Sequence, residues 1–160
     1  MYKTKNDLPE AARTQVVELM NALLADAIDL QTQCKHAHWN VKGPSFIALH
    51  ELFDKLNSDV EDYVDLVAER AVQLGGTADG TARMIVKRSR VPEYGYHGGN
   101  GHDHVAALSA SLAAFGKSVR AAIDQCDELR DKDSADIATE ISRGADKWLW
   151  FLEAHLQAQS

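Results

Sequence analysis

The sequence predicts an all-α fold, a four-helix bundle with one long crossover between its second and third helices. Three observations carry this. Apolar residues recur at three- and four-residue spacing along nearly the whole chain, and no stretch alternates as a half-buried strand does. The periodic runs are long enough for four helices, each bounded by Gly, Pro, Asp or Ser. Seven of the ten glycines fall within Gly75–Gly101, between the second and third runs. A connection of that length is uncommon inside a compact domain unless it has a task. Crossing the full length of the bundle is such a task, and it leaves the second and third helices parallel.

The elements follow in order. The first helix is expected from Pro9 to His38, with Asp7 as its cap and Pro9 in its first turn. Val16, Leu19, Leu23, Leu30 and Cys34 form its apolar stripe. Trp39-Asn-Val-Lys-Gly-Pro44 is a tight connection. The second helix is expected from Phe46 to Leu74, stopped by Gly75-Gly76, with Phe46, Leu49, Phe53, Leu56, Val60, Val67, Ala71 and Leu74 as its core face. Thr77 to Val86 is read as a short helix within the crossover. The third long helix is expected from Asp103 to Arg130, with Val105, Leu108, Leu112, Phe115, Val119, Cys126 and Leu129 inward. The fourth is expected from Ser134 to Gln157, capped by Asp133 or Ser134, with Ile137, Ile141, Trp148, Phe151 and Leu152 inward.

At 160 residues the chain is expected to be one domain, 1–160, large enough to bury a real core. It has no apolar run of membrane-spanning length and no signal-peptide core near Met1, so a soluble cytoplasmic protein is expected. Cys34 and Cys126 form no CxxC pair and are read as buried thiols. The net charge of -7 argues against general nucleic-acid binding, which needs clustered Lys and Arg, and suits a protein that handles cations.

Five residues of metal-ligand type stand out: His38, His50, Asp54, Asp65 and Glu69. The last four lie on the second helix, and their spacing is symmetric. The midpoint of His50 and Glu69 falls between Asp59 and Val60, as does that of Asp54 and Asp65. Laid antiparallel on a copy of itself about that point, the helix brings His50 and Asp54 of one chain beside Glu69 and Asp65 of the other. One chain cannot do this alone, because Asp54 and Asp65 are separated by roughly 16 Å of helix, whereas metal ligands lie within about 2.0–2.6 Å of the ion. On a helical wheel the four residues centre roughly 135° from the core stripe. They turn away from their own bundle, with Ile47 and Ser58 beside them. The spacing therefore predicts two metal sites shared across a two-fold dimer.

Imidazole mixed with carboxylate suits iron and similar cations, and no thiolate of a structural zinc site is present. A solvated acidic face with a chance histidine is the plain alternative. His50-Glu51-Leu-Phe-Asp54 resembles a zinc-protease HExxH, but Asp54 replaces the second histidine and Glu51 points away from the other ligands. An iron pair inside one bundle would use Glu-x-x-His, and none of the nine glutamates has a histidine three residues later.

A longer pattern contains these residues. It runs His38-Trp-Asn-Val-Lys-Gly-Pro44-x-Phe46, Leu49-His50-Glu51-x-Phe53-Asp54, then Asp65-x-x-Ala68-Glu69-Arg70-x-x-x-Leu74-Gly75. It resembles the Dps family, the starvation-induced mini-ferritins, and the likeness extends from Tyr2 to Glu153. It implies a ferritin-like subunit, a hollow dodecamer with 23 symmetry and ferroxidase centres at dimer interfaces. In that likeness His38, His50 and Asp54 come from one subunit and Asp65 and Glu69 from its partner. The spacing argument and the resemblance are thus one reading rather than two.

Other residues carry weaker signals. Trp39 is either a packing aromatic or an electron donor beside His38. His36 is either an outer metal contact or a surface residue. His97, His102 and His104 crowd the crossover and could together form a surface metal site. Asp127, Asp131, Asp133, Asp136 and Glu140 gather at the last turn, where the resemblance implies an acidic three-fold pore admitting Fe(II) and simple helix capping is the alternative. The expected function is a ferroxidase and iron-storage protein. It would use iron (Fe2+/Fe3+) with hydrogen peroxide or O2 and shield DNA from oxidative damage. The alternative is a DNA-binding, nucleoid-compacting protein with a secondary metal site. Against that alternative, only Lys3 and Lys5 precede the first helix, Glu153 to Ser160 contains no Lys or Arg, and the basic patch of Arg83, Lys87, Arg88 and Arg90 lies on a loop. DNA binding is expected to be weak or absent.

Overall fold

The computed structural model describes residues 1–157. Five helices follow one another: α1 Glu10–Asn40, α2 Phe46–Gln73, α3 Ala82–Arg88, α4 Gly101–Glu128 and α5 Lys132–Gln157. α1 packs along α2, α4 along α5, and the two hairpins close on each other through α1 with α4 and α2 with α5. Phe53, Phe115, Met20, Leu30, Leu56 and Ile141 are among the fully buried side chains at their junction.

The crossover runs the length of the bundle, as expected. It leaves α2 where Gly75 meets Tyr2, whose N–H donates to the Gly75 carbonyl at 2.6 Å. It ends beside the start of α2, where the Lys42 N–H donates to the Gly99 carbonyl at 2.7 Å and Gly101 abuts Leu49. α2 and α4 are therefore parallel. Polar side chains of α1 anchor the crossover at several points. Asn21 bonds the Thr77 carbonyl and the Asp79 N–H. Gln33 bonds the Pro92 carbonyl. Asp26, fully buried, accepts from the Arg90 backbone N–H and guanidinium.

The C-termini of α2 and α4 both follow local chemistry. At the C-terminus of α2, Gly75 takes φ +86°, and the N–H groups of Gly75 and Gly76 bond the Val72 and Ala71 carbonyls, closing a Schellman motif. The same motif ends α4, with Arg130 at φ +62° in the glycine position and bonds from Arg130 and Asp131 to Asp127 and Cys126.

Several sequence expectations are corrected. The short helix is Ala82–Arg88, not Thr77–Val86, because Asn21 holds Thr77 and Asp79 against α1 and Gly80 follows. Asp7 does not cap α1, whose first residue follows Pro9 with no side-chain cap. Asp131, not Asp133 or Ser134, caps α5, accepting from the Ser134 N–H at 3.2 Å. Phe46 is exposed, since it lies at the first residue of α2 beyond the reach of α1 and α4. Among the described residues no helix is long and apolar enough to cross a membrane. Both cysteines are buried, and burial pushes the Cys34 thiol far up and the Cys126 thiol to about 11.

Candidate metal centre

His38 sits in the last turn of α1 and His50 in the second turn of α2. The turn between them uses Gly43 at φ +108°, so the two helices run back along each other and the imidazoles meet. The rings stack at a centroid separation of 3.7 Å. Their hydrogen bonds are reciprocal: His38 Nδ1 donates to the His50 carbonyl at 2.8 Å, and His50 Nδ1 donates to the His38 carbonyl at 2.9 Å. A carbonyl can only accept, so each Nδ1 carries the proton. In the neutral ring each Nε2 is then left with its lone pair, the form a metal ligand needs. The main chain thus fixes both tautomers before any ion arrives.

Asp54 lies one turn beyond His50 and is half-exposed. Its Oδ1 is 2.7 Å from Lys35 Nζ and 3.9 Å from His38 Nδ1. The Lys35 hydrogen bond, with the charges of Lys35, His38 and His50, holds its carboxyl below the usual range. Lys35 is the residue that sequence reasoning missed. Its signal was available, since i−3 from His38 places it on the same face of α1.

Asp65 and Glu69 lie far along α2, both exposed, and neither makes a side-chain hydrogen bond or ion pair among the described residues. Glu69 borders a shallow depression formed with Ala68, Val72, Gln73 and Ala78. Among the described residues of one chain, no three His, Cys, Asp or Glu side chains converge as a metal cluster. The structure therefore brings His38, His50 and Asp54 together at one end of α2 and leaves Asp65 and Glu69 apart from them.

Trp39 projects outward, 70% exposed, with Lys35 Nζ 5.9 Å from its ring. The proposed grouping of His97, His102 and His104 is not formed. His102 is exposed beside Asp103 at 3.3 Å, whereas His104 is fully buried and hydrogen-bonded through Nδ1 to the Tyr94 hydroxyl at 2.6 Å. The actual cluster is His36, His97 and His104 with Tyr94 and Tyr96. It joins residues too distant in the chain for spacing to reveal.

Of the acidic residues at the last turn, Asp136 and Glu140 are exposed and four residues apart on α5. Asp127 is paired with Lys132 at 2.6 Å. Asp131 is buried and bound to the Arg70 guanidinium at 2.7 Å and the Ser134 hydroxyl at 2.6 Å. That carboxylate is committed to the fold, so it drops out of the acidic set.

A ferritin-like domain model matches residues 17–159. A DNA protection during starvation protein of Agrobacterium fabrum (strain C58) is 45% identical over 159 residues, covering 99% of this chain and 98% of that protein. The chain belongs to the Dps family. Among solved structures, Mycobacterium smegmatis Dps in its tetragonal form matches with a TM-score of 0.93 at 32% identity, over 98% of this chain and 95% of that one. Dps from Microbacterium arborescens in its high iron form matches at 0.85 and 35% identity, over 96% and 97%. The all-α, ferritin-like bundle expected from the sequence is the Dps fold.

Proposed function

We infer that this Dps-family protein oxidises Fe(II) at centres shared across two-fold dimers, with hydrogen peroxide as oxidant, and stores the ferric product inside a hollow dodecamer in the cytoplasm. One observation carries the reading. The exposed apolar residues on the outer face of α2, Ile47 at 61% and Val72 at 56%, share the midpoint of the two ligand pairs. A two-fold axis at Asp59 and Val60 thus matches hydrophobe to hydrophobe at the same time as His50 to Glu69 and Asp54 to Asp65. The depression beside Glu69 and Val72 would receive the partner's apolar side chains.

In such a pair, His38, His50 and Asp54 of one subunit face Asp65 and Glu69 of the partner. Fe(II) is the substrate, and the two bare Nε2 atoms and the carboxylates are its donors. Carboxylate donors favour the ferric product, which lowers the cost of losing an electron. Two Fe(II) ions give one electron each to hydrogen peroxide. Its O–O bond breaks, and with two protons it leaves as water. Removing Fe(II) and peroxide together denies both to radical chemistry, and this is how the protein would protect DNA.

The DNA-compacting alternative has little support. Arg90 is bound to Asp26, and Arg88 lies against Glu18 and Asp79, so half of the expected basic patch is neutralised within the chain. The test of the main reading is anaerobic loading with Fe(II), followed by hydrogen peroxide or by O2. Ferric absorbance and the growth of an electron-dense core are recorded. Peroxide should act faster than O2, and Asp54→Asn should slow both. Oxidation no faster than that of Fe(II) in buffer alone would sink the reading.

A further inference from the structure

Hydrogen peroxide takes up two electrons, but a centre holding a single Fe(II) supplies one. The second must come from the protein, or a diffusing radical results. Trp39 adjoins the ligand His38. It lines one groove with His36, a turn earlier on α1, and with Tyr94 on the crossover. The His36 and Tyr94 rings meet edge to face with centroids 4.9 Å apart.

Tyr94 alone among the four tyrosines has a base in place. A phenol that loses an electron becomes a strong acid and must shed its proton at once. The Tyr94 hydroxyl is 2.6 Å from His104 Nδ1. The Tyr96 hydroxyl instead accepts from the Asn100 N–H. Tyr63 has no hydrogen-bond partner among the described residues, and Tyr2 is exposed near the N-terminus. His104 Nε2 is buried without a hydrogen-bond partner among the described residues, so the short polar contact of the ring is the one its Nδ1 makes with the phenol. Burial, with the neighbouring His36, lowers the His104 pKa and so favours the neutral ring that can accept a proton.

We propose that Tyr94 is the internal electron donor that completes peroxide reduction when a centre holds only one Fe(II), its hydroxyl proton passing to His104. The proposal rests on the ferroxidase reading above for its oxidant. Peroxide receives one electron from Fe(II) and one from Tyr94, relayed through Trp39. The O–O bond breaks, and two protons from solvent complete two water molecules. Fe(II) becomes Fe(III), Tyr94 becomes a neutral phenoxyl radical, and His104 becomes an imidazolium. A hydrogen bond that merely fastened the crossover to α4 would yield no radical.

Two experiments test this. In the first, the assembled protein receives less than one Fe(II) per centre, then peroxide, and is freeze-quenched for electron paramagnetic resonance. A phenoxyl signal is expected in the wild type and in Tyr96→Phe, and none in Tyr94→Phe. Installing 3-fluorotyrosine at position 94 keeps the hydroxyl and the fold and should add fluorine splitting to the signal. In the second, metal-free protein is oxidised by azide radical in pulse radiolysis. The tryptophan radical absorbance should decay as the phenoxyl absorbance rises. That coupled phase should vanish in Trp39→Phe and in Tyr94→Phe, and His104→Gln should slow it by about a hundredfold, the usual loss when a positioned base is removed. A signal at position 94 without fluorine splitting, or a coupled phase indifferent to Tyr94 and His104, would overturn the proposal. If peroxide left Fe(II) unoxidised while the coupled phase appeared in metal-free protein, the ferroxidase reading would fall and take the role in peroxide reduction with it, whereas the electron transfer from Tyr94 to Trp39 would stand.

Discussion

Mixing two inactive variants tests whether the centre is shared. Asp54 and Glu69 lie on one unbroken helix, separated by about 22 Å at 1.5 Å per residue. In a shared centre, an Asp54→Ala subunit spoils the centre to which it gives histidines, and a Glu69→Ala subunit spoils the one to which it gives carboxylates. When the two pair, both defects fall in the same centre and the other is intact. Random pairing at equal expression makes about half of all dimers mixed, so about a quarter of all centres are restored. The initial ferroxidase rate per subunit should therefore rise from background to about a quarter of wild type. A second mixture provides the control. Asp54→Ala with His50→Ala places one defect in each centre of a mixed dimer, and no activity should return. The assay is ferric absorbance after peroxide addition, with subunit ratios checked by mass spectrometry. Failure of the first mixture to exceed either parent, or equal rescue by the second, would refute a centre built from opposite ends of α2.

Four further outcomes follow from other parts of the molecule. Arg70→Met strands the buried Asp131 carboxylate, since Arg70 Nη2 and Nε hold Asp131 and Ser134; a loss of about 3–5 kcal/mol is expected, and calorimetry showing a negligible drop in Tm would contradict it. Gly75→Ala forces a Cβ to 2.7 Å from the Tyr2 carbonyl at φ +86°. The left-handed penalty alone is about 1–2 kcal/mol, whereas Arg130→Gly relieves that conformation and should leave thermal stability level or higher. Neutralising Asp136 and Glu140 together should slow Fe(II) uptake, most at low ionic strength because steering is screened beyond about 10 Å at 0.1 M salt; stopped-flow rates unchanged at low salt would remove this pair from any entry path. DNA should not be retarded in gels at neutral pH, physiological salt and without free iron, and stable submicromolar complexes that weaken as salt rises would show that Lys3, Lys5, Arg83 and Lys87 have been underrated.

What the sequence disclosed and what it hid divide along a physical line. Periodicity located the four long helices because burial of one face repeats with the helical turn, as Leu49, Phe53, Leu56 and Val60 do. Gly75-Gly76 marked the end of α2 because a left-handed C′ position suits glycine. The same motif at Arg130 was hidden, since a non-glycine in that conformation leaves no mark in the sequence. The caps failed for a related reason. At α5, Asp131, Asp133 and Ser134 are all cap types, and only the partnership of Asp131 with Arg70 on α2 selects among them. At the site, local spacing gathered His50 with Asp54 and Asp65 with Glu69. It did not supply the crossed bonds between His38 and His50, nor the Tyr94–His104 pair, because these depend on how one helix meets another.

Those crossed bonds bear on when iron chemistry can begin. A single chain already holds both imidazoles in ligand form, so the histidine half needs no rearrangement. Yet its carboxylate, Asp54, is occupied by Lys35, and the remaining acids stand far along α2. An isolated subunit thus offers Fe(II) two imidazole nitrogens and a carboxylate competing with an ammonium. That set lacks most of the carboxylates of the mixed imidazole and carboxylate site that suits iron. In the proposed dimer, pairing would add the partner's two carboxylates, which face no competing cation among the described residues, and would bury Ile47 and Val72 in the same step. Assembly and iron affinity are then linked, and by reciprocity Fe(II) should tighten the dimer as much as the dimer tightens Fe(II). On the proposed function, confining strong binding to the assembled shell would keep oxidation where the ferric product can be enclosed.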